Sequence, residues 1–318
     1  MSGVRKQHVL VTGANGFVGS ALIPLLIEND WDVTAHSRRA PPIGNEFGKK
    51  LTWCRVANVD GDLQLSGCNA VVHLAARVHV MQERSVDPLA EFRQVNVAAT
   101  ELLARLAAEA GVKRFVYLSS IKVNGEETRP GQSFSAYDEP SPEDAYGISK
   151  HEAEIALRRV AQDTGLEVVI IRPPLVYGPG VKGNFRTMLN WLQRGLPLPL
   201  ASLQNRRSLV GVGNLCDLIQ ICLSHPGAAN QTFLVSDDHD LSTPELLRLA
   251  GLAMGRPARL WPFPLSWLHL GSSAIGKRNV VRRLCGNLQV DISKTKSILN
   301  WVPPVDVETG LRRVFDNR

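Results

Sequence analysis

Tyr146 and Lys150 stand four positions apart in a stretch with helical periodicity, so both project from one helix face and can reach one ligand. A phenol with a pKa near 10 is a poor base at neutral pH. A neighbouring ammonium, together with an oxidised nicotinamide, lowers that value and makes the pair a proton donor and acceptor. By spacing alone, the same pattern also suits a surface tyrosine and lysine. Upstream, Ser119 and Ser120 close an apolar run, at the carboxyl end of an expected strand, where α/β folds place their ligands. A hydroxyl there can polarise a carbonyl, although Ser-Ser is also ordinary turn chemistry. Strand, serine and Tyr-x-x-x-Lys helix in succession mark a serine of the Ser119-Ser120 pair, Tyr146 and Lys150 as candidate catalytic residues.

A third cluster is the turn Gly13-Ala14-Asn15-Gly16-Phe17-Val18-Gly19, set between an apolar strand and a helix. Gly13 permits the tight turn, Gly16 lets backbone approach a pyrophosphate, and Gly19 allows close helix–sheet packing, with free amides of the helix start facing the anion. A dinucleotide site follows. The end of the second strand, about 20 positions beyond the motif, meets the adenosine ribose, where a carboxylate selects NAD and a cation accommodates the 2′-phosphate of NADP. Here the chain reads His36-Ser37-Arg38-Arg39, with no acid and two arginines. NADP(H) is the expected cofactor, held by Ser37 and Arg38, with NAD(H) and a merely solvated basic loop as the alternative.

The elements that must hold these groups alternate. Strands are expected at His8–Thr12, Asp32–His36, Ala70–Ala75, Arg114–Ser119 and Glu167–Arg172, with helices after the glycine turn to Asn29, over Glu91–Ala110 and over Glu143–Ala161. Pro24 lies inside the first helix and predicts a kink. Alternation of this kind predicts an α/β fold, a doubly wound parallel sheet of Rossmann type. Prolines then break the chain into short pieces. Residues 1–173 are read as a dinucleotide-binding domain with the catalytic residues, and 174–318 as a smaller C-terminal substrate-binding lobe, from which a strand within 231–235 returns to the main sheet.

Composition narrows the classes. A chain of 318 residues can bury a large core without staples, and five cysteines without a C-x-x-C pair indicate neither a disulfide framework nor a metal site. No signal segment and no apolar run of about 18 residues is found, so a cytoplasmic protein with no spanning membrane segment is expected. The net charge of +6 comes without an aromatic-basic stripe or nucleic-acid motif, so an acidic small substrate is expected and no nucleic acid. Leu260–Ile275 is apolar and aromatic with basic residues after it. It reads either as a membrane-surface helix or, given Pro262 and Pro264, as a lid or core helix.

With these motifs the sequence resembles the extended short-chain dehydrogenase/reductase family, in particular its NAD-dependent epimerase/dehydratase group, over essentially the whole chain. Further residues that carry the resemblance are His73-Leu74-Ala75-Ala76, Asn96-Val97 and Arg172 to Gly180. The resemblance selects Ser120 as the catalytic serine, and implies that Phe17 and Val18 offer amides to the pyrophosphate and that Asn58 and Val59 border adenine. It further implies that Leu74, Ala75, Ala76 and Asn96 line the cofactor cleft with Tyr146 and Lys150, and that Asn184 and Arg207 hold the phosphates of a UDP-sugar whose reacting oxygen meets Ser120. A homodimer is also implied.

Ser119 to Glu126 and Asn205 to Val210 look like a bacterial polysaccharide subgroup that serves O-antigen and lipopolysaccharide biosynthesis. That subgroup mixes two activities. Many 4-epimerases have Asp at the end of the second strand and Asn near Leu175, and neither is present. The expectation is therefore an NADPH-dependent 4-ketoreductase of a UDP-2-acetamido-2,6-dideoxy-4-ketohexose. The alternative is a UDP-N-acetylglucosamine 4-epimerase, on free or lipid-linked substrate, with bound NAD. A non-catalytic dinucleotide sensor is a third reading, against which the intact Ser120, Tyr146 and Lys150 argue.

Overall fold

β1 (Gln7–Thr12) shows why the sheet must be buried on both sides. Val9 and Val11 pack into one apolar layer and Leu10 into the other, so the strand is apolar at successive positions, as a doubly covered parallel strand requires. The computed structural model describes residues 7–38, 47–55, 63–78, 87–264, 282 and 284–315. Arg39, Asn58, Val59 and residues 265–275 of the apolar segment lie outside them.

After β1 come α1 (Phe17–Glu28), β2 (Trp31–Ser37), β3 (Leu51–Arg55), β4 (Ala70–His73), α2 (Pro88–Arg93), α3 (Ala99–Glu109), β5 (Arg114–Leu118), α4 (Ala145–Thr164) and β6 (Glu167–Arg172). The second half adds β7 (Leu175–Tyr177), α5 (Gly183–Gln193), β8 (Leu209–Gly211), α6 (Val212–Ser224), β9 (Thr232–Leu234), α7 (Thr243–Ala253), α8 (Ser293–Leu299) and α9 (Val307–Arg313). Seven strands form one parallel sheet in the order β3-β2-β1-β4-β5-β6-β9. The expected doubly wound sheet is present, and the strand from the second half joins its edge. α1 and α6 bury Leu22, Ile23, Leu215 and Ile219 on one face, while α3 and α4 bury Leu103, Ala107, Leu157 and Val160 on the other. Strand order reverses between β1 and β4, so the crevice beyond their carboxyl ends is the place for a ligand.

The C-terminal lobe has its own core, built from the β7–β8 pair, α5, α7 and α9 around Tyr177, Phe185, Leu189, Leu247 and Leu311. Pro24 lies inside α1, as expected. Three local details differ from the sequence expectation. The helix expected over Glu91–Ala110 is interrupted at Gln94–Ala98 by a wider, π-type turn. The helix expected from Glu143 starts at Ala145, because the Asp144 side chain accepts from the Gly147 amide at 2.7 Å and caps it. β3 and the three-residue β7 and β8 were not anticipated, since a polar edge strand and pieces that short carry almost no periodicity.

Candidate active site

The turn between β1 and α1 is held by contacts that exclude side chains. Gly13 has φ +69°, and a Cβ there would lie 2.8 Å from the Ala75 nitrogen; a Cβ on Gly19 would lie 2.5 Å from the Gly13 carbonyl oxygen. The backbone of the turn therefore touches the segment after β4 directly. Gly16 donates to the Gly13 carbonyl at 2.8 Å and brings no capping side chain to α1, so the first-turn amides of Phe17, Val18 and Gly19 keep the character of an anion cradle. Phe17 extends outward, and its ring approaches Gly178, at the root of the lobe. At the end of β2, the Asn15 amide donates to Ser37 Oγ at 2.6 Å, tying the ribose end of the cleft to the glycine turn, and Arg38 beyond it is exposed.

Leu74, Ala75 and Ala76 run along the opposite wall and are half-buried. The Ala75 amide donates to Thr12 Oγ1 at 3.2 Å, Thr12 Oγ1 meets His73 Nδ1 at 2.7 Å, and His73 Nε2 meets Thr100 Oγ1 at 3.0 Å. Burial, with a smaller effect of the Lys150 charge, lowers the His73 pKa to about 3, so this imidazole is a neutral strut. Asn96 sits in the π-type turn. Its side chain accepts from the Arg77 amide at 2.8 Å, and donates to the Arg77 carbonyl and to Ser149 Oγ, each at 3.0 Å. It thus joins the wall after β4 to the helix that carries Tyr146 and Lys150.

Ser119 and Ser120 are separated by their partners. Ser119 Oγ donates to Glu154 at 2.6 Å, while Ser120 accepts from the Lys122 amide and lies near enough to the Tyr146 hydroxyl to favour its ionised form. Glu154 and Arg172 form a buried ion pair, 2% and 4% exposed, and Arg172 also donates to Asn124 at 2.9 Å. Lys122 pairs with Glu126 at 2.6 Å and with Asp144 at 2.5 Å, clamping the Ser120 turn to the start of α4. Gly147 makes that approach possible, since a Cβ there would lie 2.9 Å from the Lys122 carbonyl oxygen. One turn on, the Lys150 ammonium donates to the Leu118 carbonyl at 2.7 Å and lies 4.3 Å above the Tyr117 ring.

Burial shapes the chemistry of this cluster. Desolvation, with the Asp144 charge behind it, pushes the Tyr146 pKa up to about 12, against a smaller downward effect of the nearby Ser120 hydroxyl. Desolvation pulls Lys150 down to about 7, partly offset by Glu154. In the free protein the phenol is therefore a proton donor at neutral pH, and the lysine beside it changes charge in the working range.

The structure brings Ser120, Tyr146 and Lys150 together at the end of β5, beside the glycine turn and the Leu74–Ala76 wall. The two expected phosphate contacts belong to other elements. Asn184 is exposed in the first turn of α5, and Arg207 is half-buried in the lobe, donating to the Gly286 carbonyl at 3.0 Å. Sequence reasoning missed Asp144, Lys122, Gly147 and the Glu154–Arg172 pair. Asp144 was findable as an N-cap residue before a helix, whereas the pairs Lys122–Asp144 and Glu154–Arg172 join distant strands and helices and leave no local signal.

A family model described as "NAD dependent epimerase/dehydratase family" matches residues 9–236. The chain is 45% identical to a UDP-glucose 4-epimerase of Vibrio cholerae over 98% of its length and 96% of that protein's. It is 26% identical to an N-acetyl-alpha-D-glucosaminyl-diphospho-ditrans,octacis-undecaprenol 4-epimerase of Escherichia coli O157:H7, over 98% of this chain and 95% of that one. Among solved structures, that of a Thermotoga maritima UDP-glucose 4-epimerase with UDP-glucose superposes with a TM-score of 0.76 at 22% identity, covering 97% of each chain, a likeness of fold.

Proposed function

Since the chain belongs to the NAD-dependent epimerase/dehydratase family, we propose that it is an enzyme interconverting the C4 epimers of a UDP-linked hexose or N-acetylhexosamine. The observation that carries this reading is the convergence of Ser120, Tyr146 and Lys150 beside a dinucleotide turn. The near full-length similarity to the Vibrio cholerae UDP-glucose 4-epimerase supports the substrate class.

The residues fit a dinucleotide. A turn whose three glycines leave no room for a Cβ, with helix-start amides, suits the pyrophosphate, and Leu74, Ala75 and Ala76 bring only apolar side chains beside it. A dinucleotide bound there supplies the acceptor and donor of the C4 hydride. The chain does the rest. Tyr146 Oη takes the proton from sugar O4 and later returns it, and Ser120 Oγ hydrogen-bonds the same oxygen. The Lys150 ammonium lowers the cost of a phenolate next to it and holds the nicotinamide ribose. Asp144 opposes that phenolate, and Lys122 balances Asp144 through its 2.5 Å contact. Arg207 and Asn184, from the second half of the chain, are assigned to the diphosphate, and Asn58 and Val59, from the first half, to the border of adenine.

One observation favours a second reading, an NADPH-dependent 4-ketoreductase of a UDP-2-acetamido-2,6-dideoxy-4-ketohexose. The end of β2 offers Ser37 and an exposed Arg38 and no carboxylate, a pattern suited to a 2′-phosphate. The test is to identify the nucleotide released on denaturing the purified protein, and to incubate the native protein with UDP-glucose, UDP-N-acetylglucosamine and a UDP-4-keto sugar. Released NAD, with C4 epimerisation and no net reductant consumed, is the expected result. Oxidation of NADPH by the keto sugar without epimerisation replaces this reading with the second. Binding without turnover of any of them would leave a non-catalytic dinucleotide sensor.

A further inference from the structure

Carboxylates are missing from two long stretches of the chain. Between Glu167 and Asp217 there is no Asp or Glu against six Lys and Arg, and between Glu245 and Asp291 there is none against seven. The fold lays parts of these stretches side by side. The Leu198 amide donates to the Arg259 carbonyl at 2.9 Å, the Trp261 amide to the Leu198 carbonyl at 3.1 Å, and the Arg256 guanidinium to the Gln193 carbonyl at 2.6 Å. The Arg256 amide in turn reaches the Gly251 carbonyl at 2.8 Å, next to Leu252 at the end of α7. The described segments that meet here, 193–201 and 251–264, contribute arginines and no carboxylate.

The same region exposes large apolar side chains. Leu252 is 66% exposed, Trp261 45% and Leu196 43%, and Phe263 packs edge-on against Trp261 with ring centroids 5.2 Å apart. Arg194, Arg256 and Arg259 are exposed around them. Arg259 and Trp261 are exposed on either side of Leu260, and Phe263 packs against the Trp261 ring, so cation and rings lie close together on this segment. Aliphatic side chains gain nothing from a polyanion such as nucleic acid. Leucine, tryptophan and arginine together match a lipid interface, where rings and aliphatic carbons enter the acyl boundary and guanidinium heads stay at the phosphates.

We propose that this face, centred on Leu252, Arg259 and Trp261, docks the protein on an anionic phospholipid surface. Attachment is peripheral, because among the described residues no helix is long and apolar enough to cross a membrane. The docking rests on residues outside the cluster of Ser120, Tyr146 and Lys150 and holds whichever sugar reaction that cluster performs.

Vesicle flotation tests it, using phosphatidylcholine vesicles with and without phosphatidylglycerol. The parent protein should float with the anionic vesicles roughly 10-fold more strongly than with the neutral ones, and rising salt should weaken this. Leu252→Ser with Trp261→Ser, and separately Arg194→Glu with Arg259→Glu, should each reduce that binding roughly 10-fold. All four positions are exposed, and melting temperatures of both variants separate lost docking from lost folding. The proposal is overturned if the parent shows no preference for anionic vesicles. It is equally overturned if the serine variant floats as the parent does, since adsorption is then by charge alone, or if a short single-stranded oligonucleotide binds more tightly than the vesicles.

Discussion

Tyr146 and Tyr177 both sit in low-dielectric surroundings that raise their pKa values, and their neighbourhoods make them different tools. Tyr177 donates to Asp237 at 2.7 Å, and the same carboxylate accepts from the Gly211 amide at 2.9 Å and from Asn214 at 2.7 Å. A Cβ on Gly310 would come within 2.5 Å of the Tyr177 hydroxyl oxygen, so no room remains for a ligand. Burial raises both the Tyr177 and Asp237 pKa values, and the group is a closed rivet between β7, β8, α6 and the strand end after β9. Around Tyr146 the polar influences are the nearby Ser120 hydroxyl and the Asp144 charge, and one helical turn on stands the titrating Lys150. The support of Tyr146 lies one layer below, where Glu154 is matched by the Arg172 cation. A hydroxyl whose partners are saturated stabilises the fold; one with spare capacity, held by a saturated layer beneath, is free for chemistry.

The supporting layer gives the largest expected effect. Glu154→Ala leaves Arg172 buried without its counter-charge and Ser119 without its acceptor, and should cost about 3–5 kcal/mol in urea unfolding. A loss under about 1 kcal/mol would show that the layer beneath Tyr146 carries no load and would break the comparison. Tyr146→Phe should come next. Turnover falls roughly 100-fold or more, because a proton donor and acceptor is lost, while unfolding stays close to the parent. Near-parent turnover would remove Tyr146 from the mechanism.

His73 sharpens the contrast through pH. Its folded pKa is depressed to about 3 and the unfolded value is near 6.5, so on acidification the unfolded chain takes up the proton first and stability falls as pH drops through that window. Between pH 7 and pH 5, His73→Gln should lose about 2 kcal/mol less stability than the parent. Equal losses would mean the imidazole is not the neutral strut described. The smallest effect belongs to Tyr177→Phe, which should cost about 1 kcal/mol of stability and leave turnover near the parent value. A large fall in turnover with stability unchanged would make Tyr177 a second working tyrosine.

The sequence was legible wherever one segment contains its own reason. The glycine turn, the Tyr146–Lys150 pair, the serines at a strand end and the parallel sheet all follow from spacing within about 20 residues, because strand and helix periodicity is a local property. What spacing could not say was which of the two serines works. Ser119 and Ser120 are adjacent and alike, and their roles part only because β6 and α4 bring Arg172 and Glu154 beneath the first of them. The π-type turn that lets Asn96 reach both Arg77 and Ser149, the Lys122–Asp144 clamp and the Gly147 approach are likewise contacts between different elements, which depend on how those elements pack and not on periodicity within either one. The sequence by itself determined the fold class and the candidate side chains of the site; only the tertiary structure decided how each polar atom is satisfied, because that depends on which buried partner arrives from another element.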